Sequence, residues 1–221
     1  MNTTVELVNE WGRFEARHPD AGIEDFCRHY LISQREKDHR GPMLGGDVPM
    51  NPNGLLLKML GRIHKLNAIF AAKALEGTEL TQVEEFGMLL TIRRLKNPRK
   101  TEIIYANIFE LSSGTDMLNR LKARNLIAEY ADKEDKRSKR VKLTAAGEKM
   151  IETGAKRMGK CAGMMLAELG EEDVQLCTQL LNNVEVKFSA LWQEHKAASF
   201  EEIYKHAEEM RVNSKLDTSK K

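Results

Sequence analysis

One segment narrows the folds open to this chain more than any other. Leu126-Ile127-Ala128-Glu129-Tyr130 is an apolar, strand-like run and Val141-Lys142-Leu143-Thr144 is a second, while Asp132 to Arg140 between them is almost entirely charged. Two short strands bracketing a charged tip predict a β-hairpin. A lone hairpin is marginal in water, so it needs helices to lie on. Thr144 is placed to cap a following helix, because its hydroxyl can accept from a backbone N–H of the first turn. The expected fold class is therefore mostly α with a small β-hairpin.

The residues ahead of the hairpin supply such helices. Thr81, with Glu84 three residues on, has a capping-box spacing; Val83, Phe86 and Leu89 give that helix a buried face, and Asn97-Pro98 ends it. Ile103, Ile104 and Ile108 mark a short helix. Leu111-Ser112-Ser113-Gly114 is a turn into another, with Ser113 and Asp116 spaced as a cap and its partner. Three short helices joined by tight turns are a helix-turn-helix layout. On a wheel from Ser113 to Asn125, Gly114, Met117, Leu118 and Leu121 share one side, and Thr115, Asp116, Asn119, Arg120 and Ala123 the other.

That polar side suits a major groove, where Asn binds adenine bidentately and Arg binds guanine. Asp116 either accepts from a cytosine amino group or pairs with Arg120 one turn on. An amphipathic surface helix with no ligand has the same pattern, so its reading depends on the hairpin beside it. At the hairpin tip Lys136, Arg137, Lys139 and Arg140 can neutralise phosphates, and a long Arg can enter a narrow minor groove. Charge follows the same map. From Arg93 to Lys142 there are 14 Lys+Arg against 7 Asp+Glu, leaving 21 against 26 elsewhere, so a net charge of +2 conceals a basic middle in an acidic frame.

Other chemistry is poorly represented. No apolar run approaches the ~20 residues of a membrane span, and the first turns, with Glu6 and Trp11, lack a leader's basic-then-apolar order. Cys27, Cys161 and Cys177, odd in number and far apart, make no disulfide framework, which fits a reducing cytoplasm. His18, His29, His39, His64, His195 and His206 show no metal-ligand spacing with cysteine or carboxylate partners. A Gly-rich phosphate loop, nucleophile elbow and zinc-protease motif are all absent. No catalytic residue, metal or cofactor is expected.

The flanking segments read as helices. Leu7, Trp11 and Phe14, then Ile23, Phe26, Tyr30 and Leu31 beyond His18-Pro19-Asp20, predict two; Gly41-Pro42 through Gly54 reads as a linker. Leu56, Leu60, Ile63 and Phe70 stripe a long helix ending near Gly77. Beyond Gly147, Ile151, Ala155, Met158, Ala162, Met165 and Leu169 alternate steps of four and three. After Gly170, Val174, Cys177, Leu181, Val184, Phe188 and Leu191 do the same. Such seams suit helices packed along their length, in a bundle or across a dimer. Ser199 with Glu202 caps one more short helix. The expected organisation is an arm and linker over 1–50, a scaffold helix over 54–77, the hairpin-bearing helix-turn-helix over 78–147, dimerisation helices over 148–212 and a flexible, frayed polar tail over 213–221.

The pattern Asp135-x-Arg137-x-x-x-Val141-x-Leu143-Thr144-x-x-Gly147 resembles the wing signature of the MarR family of winged-helix transcription regulators. Leu111-Ser112-Ser113-Gly114 through Leu118-Asn119-Arg120-Leu121 and Leu126-Ile127 resemble that family's recognition helix and first wing strand, and the likeness runs in element order over residues 55 to 195. It implies a winged helix-turn-helix in which Asp135 braces the wing and Arg137 reaches the minor groove. Thr115, Asn119 and Arg120 would read bases. Helices from both ends would form a homodimer on a pseudo-palindromic site in double-stranded DNA, with repression relieved by a small-molecule effector. Some similar regulators sense oxidants through an N-terminal cysteine, here Cys27, which Arg28 and His29 could activate; packing as a small apolar residue is the plainer role. Asn125 departs from the glycine common before the wing, and the arm before residue 50 is longer than usual. Two rivals stay open: a winged helix serving protein interaction or RNA binding, and an enzyme.

Overall fold

The computed structural model describes residues 2–36, 51–132 and 138–218. Two compact units divide the chain, Met1–Leu56 and Leu57–Lys221. In the first, α1 (Thr3–Glu15) is capped by Asn2, whose side chain accepts from the Thr4 N–H, and α2 (Ile23–Glu36) follows. Phe14 and Phe26 are buried between them, with Trp11 edge-on to Phe26 at 5.1 Å and the rings of His18 and His29 within about 5 Å of Phe14. Aromatic contacts therefore close this helical pair.

Helix α3 (Pro52–Leu75) starts in the first unit and runs into the second. Its first residue is proline, which suits a position whose N–H would be unpaired anyway, and Asn51 accepts from the Gly54 N–H. Then come α4 (Val83–Leu95), α5 (Lys100–Ala106), α6 (Leu111–Ala123), β1 (Ile127–Ala131), β2 (Lys139–Leu143), α7 (Ala145–Met165), α8 (Glu171–Glu194) and α9 (Phe200–Thr218). The strands pair antiparallel from Ile127↔Leu143 to Ala131↔Lys139. Arg99 bridges Arg140 on the outer side of β2, and the Val141 N–H donates to the Pro98 carbonyl, so the hairpin leans on the α4–α5 connection.

One core unites these elements. Met88, Leu89 and Ile92 enter it from α4, Ile103 and Ile104 from α5, and Leu118 and Leu121 from α6. Leu126, Ile127 and Val141 close it from the hairpin and Ile151 from α7. Each such burial stabilises by roughly 1.5–3 kcal/mol. Gly114 lets α6 lie against α5, since a Cβ there would sit 2.6 Å from Ile104.

The junction of α6, the hairpin and α7 accounts for the Leu143-Thr144-x-x-Gly147 pattern. At the end of α6, Asn125 takes φ 58, the Leu126 N–H reaches the Leu121 carbonyl and the Asn125 N–H reaches Lys122. This is a Schellman ending in which asparagine takes the place of glycine. The Leu126 carbonyl then accepts from the Thr144 N–H. The Thr144 hydroxyl donates to the Asn125 carbonyl at 2.6 Å and accepts from the Gly147 N–H at 3.0 Å, capping α7. A Cβ on Gly147 would run into the Leu126 carbonyl oxygen.

Several expectations need correction. Helix α4 begins at Val83 with Gln82 as its cap, and Thr81 donates to Glu85 rather than engaging Glu84. Helix α6 begins at Leu111, so Ser113 lies inside it and is no cap. Ile108 falls beyond α5, exposed, at φ 57. On α7 the face buried within the chain is Gly147, Ile151, Gly154 and Cys161; Ala155 and Ala162 of the expected seam are on the surface of the single chain, so they do not pack in a bundle within it. Ser199 and Glu202 do cap α9, but that helix continues to Thr218 instead of fraying from Asn213. The expected linker lies largely outside the described residues. Among those described, no helix is long and apolar enough to cross a membrane.

Gly147→Ala is expected to destabilise the protein by about 2–3 kcal/mol, because backbone must move to admit the methyl group. Gly159→Ala, at an open position of the same helix, should be neutral or stabilising. Urea unfolding of the two variants checks the contrast, and equal effects would refute it.

Candidate nucleic-acid interface

Helix α6 divides as its wheel predicts. Gly114, Met117, Leu118 and Leu121 are buried; Ser113, Asp116, Asn119 and Arg120 are exposed, and Thr115 is partly so. The inner face fixes the helix in the core and leaves a polar face turned outward.

The outer face is held at its angle by a carboxylate that sequence reasoning missed. Glu85 on α4 has a side chain 0% exposed. Arg124 grips it with two guanidinium nitrogens, Nη1 at 3.0 Å from Oε2 and Nη2 on Oε1, and also donates to the Glu79 carbonyl. Arg120 Nε lies 3.3 Å from Glu85 Oε1, with Nη2 3.3 Å from Gln82 Oε1. The Thr81 N–H and hydroxyl complete the shell. Burial alone would push the Glu85 carboxyl up, but hydrogen bonds from Arg124 and Thr81 outweigh it and hold it below the ordinary carboxylate range. Arg120, expected to read a base, is thus drawn toward α4, although 46% of its side chain remains exposed.

Two further carboxylates root the hairpin. Asp132, 2% exposed, accepts from Arg99 Nε at 3.0 Å and from Arg140 Nε at 2.9 Å; Arg140 Nη1 donates to the Asn97 carbonyl. Glu129, 6% exposed, lies 2.9 Å from Lys100 Nζ, 2.9 Å from Lys122 Nζ and 3.7 Å from Lys139 Nζ. Burial raises its pKa, yet hydrogen bonds from Lys100 and Lys122 carry it down to about 2. Asp132 therefore braces the described base of the hairpin. Arg140 sits within β2 opposite Tyr130 and Lys139 opens that strand, the latter exposed. Asp135, Lys136 and Arg137 lie outside the described residues.

Cys27 is exposed, but its expected helpers are occupied. Arg28 pairs with Glu24 at 3.0 Å and Asp25 at 3.6 Å, and His29 stacks on Phe14. All three cysteines are free thiols.

No family model matches the sequence, and no curated protein matches it. Solved structures do. A probable transcriptional regulator from Pseudomonas aeruginosa aligns with a TM-score of 0.56 at 19% identity, over 61% of this chain and 99% of its own. A mutant of MarR from E. coli, complexed with operator DNA, aligns with a TM-score of 0.55 at 22% identity, over 58% and 92%. Bordetella bronchiseptica BpsR, solved to explain regulation of its DNA binding by 6-hydroxynicotinic acid, aligns with a TM-score of 0.54 at 20% identity, over 59% and 98%. The chain has the MarR-type winged-helix fold. Nearly all of each neighbour is matched, while about two fifths of this chain lies beyond the match.

The depressed Glu129 carboxyl sets a pH dependence with a definite sign. Its folded pKa lies below the unfolded value, so its stabilisation is present above about pH 4.5 and is lost as pH falls toward about 2. With its lysine partners partly in water, the contribution is about 1–2 kcal/mol. Glu129→Gln should lose this at neutral pH and show a shallower acid limb in urea unfolding. Parallel pH profiles for variant and wild type would contradict the pairing.

Proposed function

We propose that the chain is a sequence-specific, double-stranded-DNA-binding transcription regulator, and not an enzyme, acting as a homodimer on a pseudo-palindromic operator. One observation carries this reading: a helix-turn-helix whose second helix buries Gly114, Met117, Leu118 and Leu121 and presents Ser113, Asp116 and Asn119 to solvent, with a cation-rich hairpin directly after it. In this reading Asn119, with Ser113, Thr115 and Asp116 beside it, meets base edges. Lys136, Arg137 and Lys139 meet phosphates, Arg137 entering the minor groove while Asp135 braces the tip. Arg120 and Arg140 chiefly set the angles of helix and hairpin. The MarR complex with operator DNA supports the partner by analogy of fold.

A second copy is the partner that best suits the long helices. Helix α8 buries only Leu191 within the chain and leaves Leu176, Leu180, Val184 and Phe188 exposed at four-residue intervals. A continuous apolar stripe on one helix face is what a symmetric interface covers. Two recognition helices related by a two-fold axis then reach major grooves about one turn apart.

Repression relieved by a small molecule is the regulatory part of the proposal. A cleft of about 410 Å³ between α3 and α7 is floored by Phe70, Ala74, Cys161 and Met164 and edged by Lys73 and Lys160, with Arg157 tied to the Ala74 and Glu76 carbonyls. An apolar floor with cations at the rim suits an organic acid, the class to which the BpsR ligand belongs.

Selection of bound fragments from random duplex DNA by the full chain should enrich an inverted repeat. Lack of enrichment at physiological salt rejects the reading. Asn119→Ala should relax preference at one half-site position by about 1–3 kcal/mol with non-specific affinity kept, whereas Arg137→Ala should weaken binding to every sequence. Light scattering tests the interface: Leu180→Glu is expected to turn a dimer into a monomer, and a dimeric variant would place the interface elsewhere.

A further inference from the structure

His195 and His206 are far enough apart in sequence to escape any motif, but the α8–α9 turn brings them together. His195 is the last residue of the α8 ending, its N–H donating to the Leu191 carbonyl. The Ala198 N–H returns to the His195 carbonyl, and Ser199 donates to Glu202 Oε2 through both N–H and hydroxyl at 2.8 Å. These bonds fix where α9 leaves the turn. His206, in the second turn of α9, folds back over His195 with ring centroids 4.7 Å apart.

Three ligand-type atoms converge there. One nitrogen each from His195 and His206 and one carboxylate oxygen from Glu194 all lie within 4.8 Å of one another, with Glu194 Oε2 4.0 Å from His195 Nε2. His195 Nε2 is buried and, among the described residues, has no hydrogen-bond partner. A buried, unsatisfied polar atom costs roughly 1–3 kcal/mol, so something that bonds it there is favoured. A cleft of about 350 Å³ opens on the pair, lined by His195, Ala198, Glu202, Lys205, His206 and Glu209. Its lining carries the acids Glu202 and Glu209 and the cation Lys205, with Glu202 committed to Ser199.

We infer that Glu194, His195 and His206 form a site for a divalent transition metal of the zinc class, which clamps α9 to the end of α8. Two imidazoles and a carboxylate are the donor set that such borderline ions prefer, and magnesium or calcium would want more oxygen. Bond lengths of about 2.0–2.2 Å place tetrahedral ligands roughly 3.3 Å apart. The observed spread exceeds that separation by no more than about 1.5 Å, so coordination asks for a modest contraction of the three side chains. Three protein ligands leave a fourth position for water or for a neighbouring carboxylate. The ion would give α9 a point of anchorage to the end of α8 beyond its capping turn and the ring contact of His206 with His195.

The test uses the full chain, stripped of metal and free of any affinity tag, titrated with Zn²⁺ against a chromophoric chelator. One ion per chain is expected. His195→Gln and His206→Gln should each weaken it at least about 10-fold, while His64→Gln on α3 leaves it unchanged. Circular dichroism establishes that the variants keep their fold, and α9 amides should exchange more slowly with Zn²⁺ in the wild type but not in His206→Gln. Zinc failing to compete with the chelator overturns the assignment. So does stoichiometric binding that survives the double variant, or a Co²⁺ spectrum with thiolate charge transfer, which would put the metal on cysteine.

Discussion

Glu85 is the residue on which the setting of α6 turns. A carboxylate with no solvent exposure loses several kcal/mol of hydration, and only close, well-aligned cations and hydrogen bonds offset that loss. Those cations come from the far half of α6, Arg120 and Arg124, so satisfying one acid on α4 dictates how α6 crosses it. The apolar residues of α6 would tolerate small rotations. Directional bonds to Glu85 narrow that freedom, and removing Arg124, which holds both carboxylate oxygens, would leave the buried charge poorly compensated. The exposed face is therefore set from behind.

Asp132 and Glu129 extend the same logic to the hairpin. Arg99 and Lys100 at the start of α5, Lys122 on α6, and Lys139 and Arg140 on β2 converge on these two acids. Helix-turn-helix and wing thereby become one body in which a shift of one element is resisted by ion pairs to the others. The Thr144–Asn125–Gly147 junction adds a backbone lock at the other end of the hairpin. A two-stranded ribbon too small to stand alone is held along its length.

Much of this was legible in the sequence, and the gaps have a physical pattern. The inner face of α6, the two strands and the Thr144 cap follow from periodicity and local chemistry, which act within a few residues. Glu85 and Arg124 are 39 residues apart and Asp132 and Arg99 are 33 apart, so no local pattern announces either pair. Glu85 reads as one of two acids in the first turn of a helix, and only the fold shows that one is interior. The His195–His206 pairing was hidden for a related reason: it depends on the angle of a turn. Within the chain the inner face of α7 is formed by Ile151 with Gly154 and Cys161, small residues of which Gly154 packs against Phe86, while Ala155 and Ala162 of the expected seam face outward.

The ion pairs also change what the basic centre of the sequence means. Counting charge gives the region from Arg93 to Lys142 a twofold excess of cations, but Arg99, Lys100, Arg120, Lys122, Arg124, Lys139 and Arg140 each face an acid within the fold. A cation already paired releases less on meeting a phosphate, because the counterion it would displace is partly replaced by a carboxylate. Long-range attraction still scales with net charge, so the excess steers an approaching polyanion. The salt sensitivity of a phosphate-bound state would instead follow the smaller set of solvent-facing cations that meet no acid among the described residues, Arg93, Arg94 and Lys96 among them. Attraction and grip would thus fall to different subsets of the basic residues, and in the proposed reading discrimination would rest with the outer face of α6, Asn119 included.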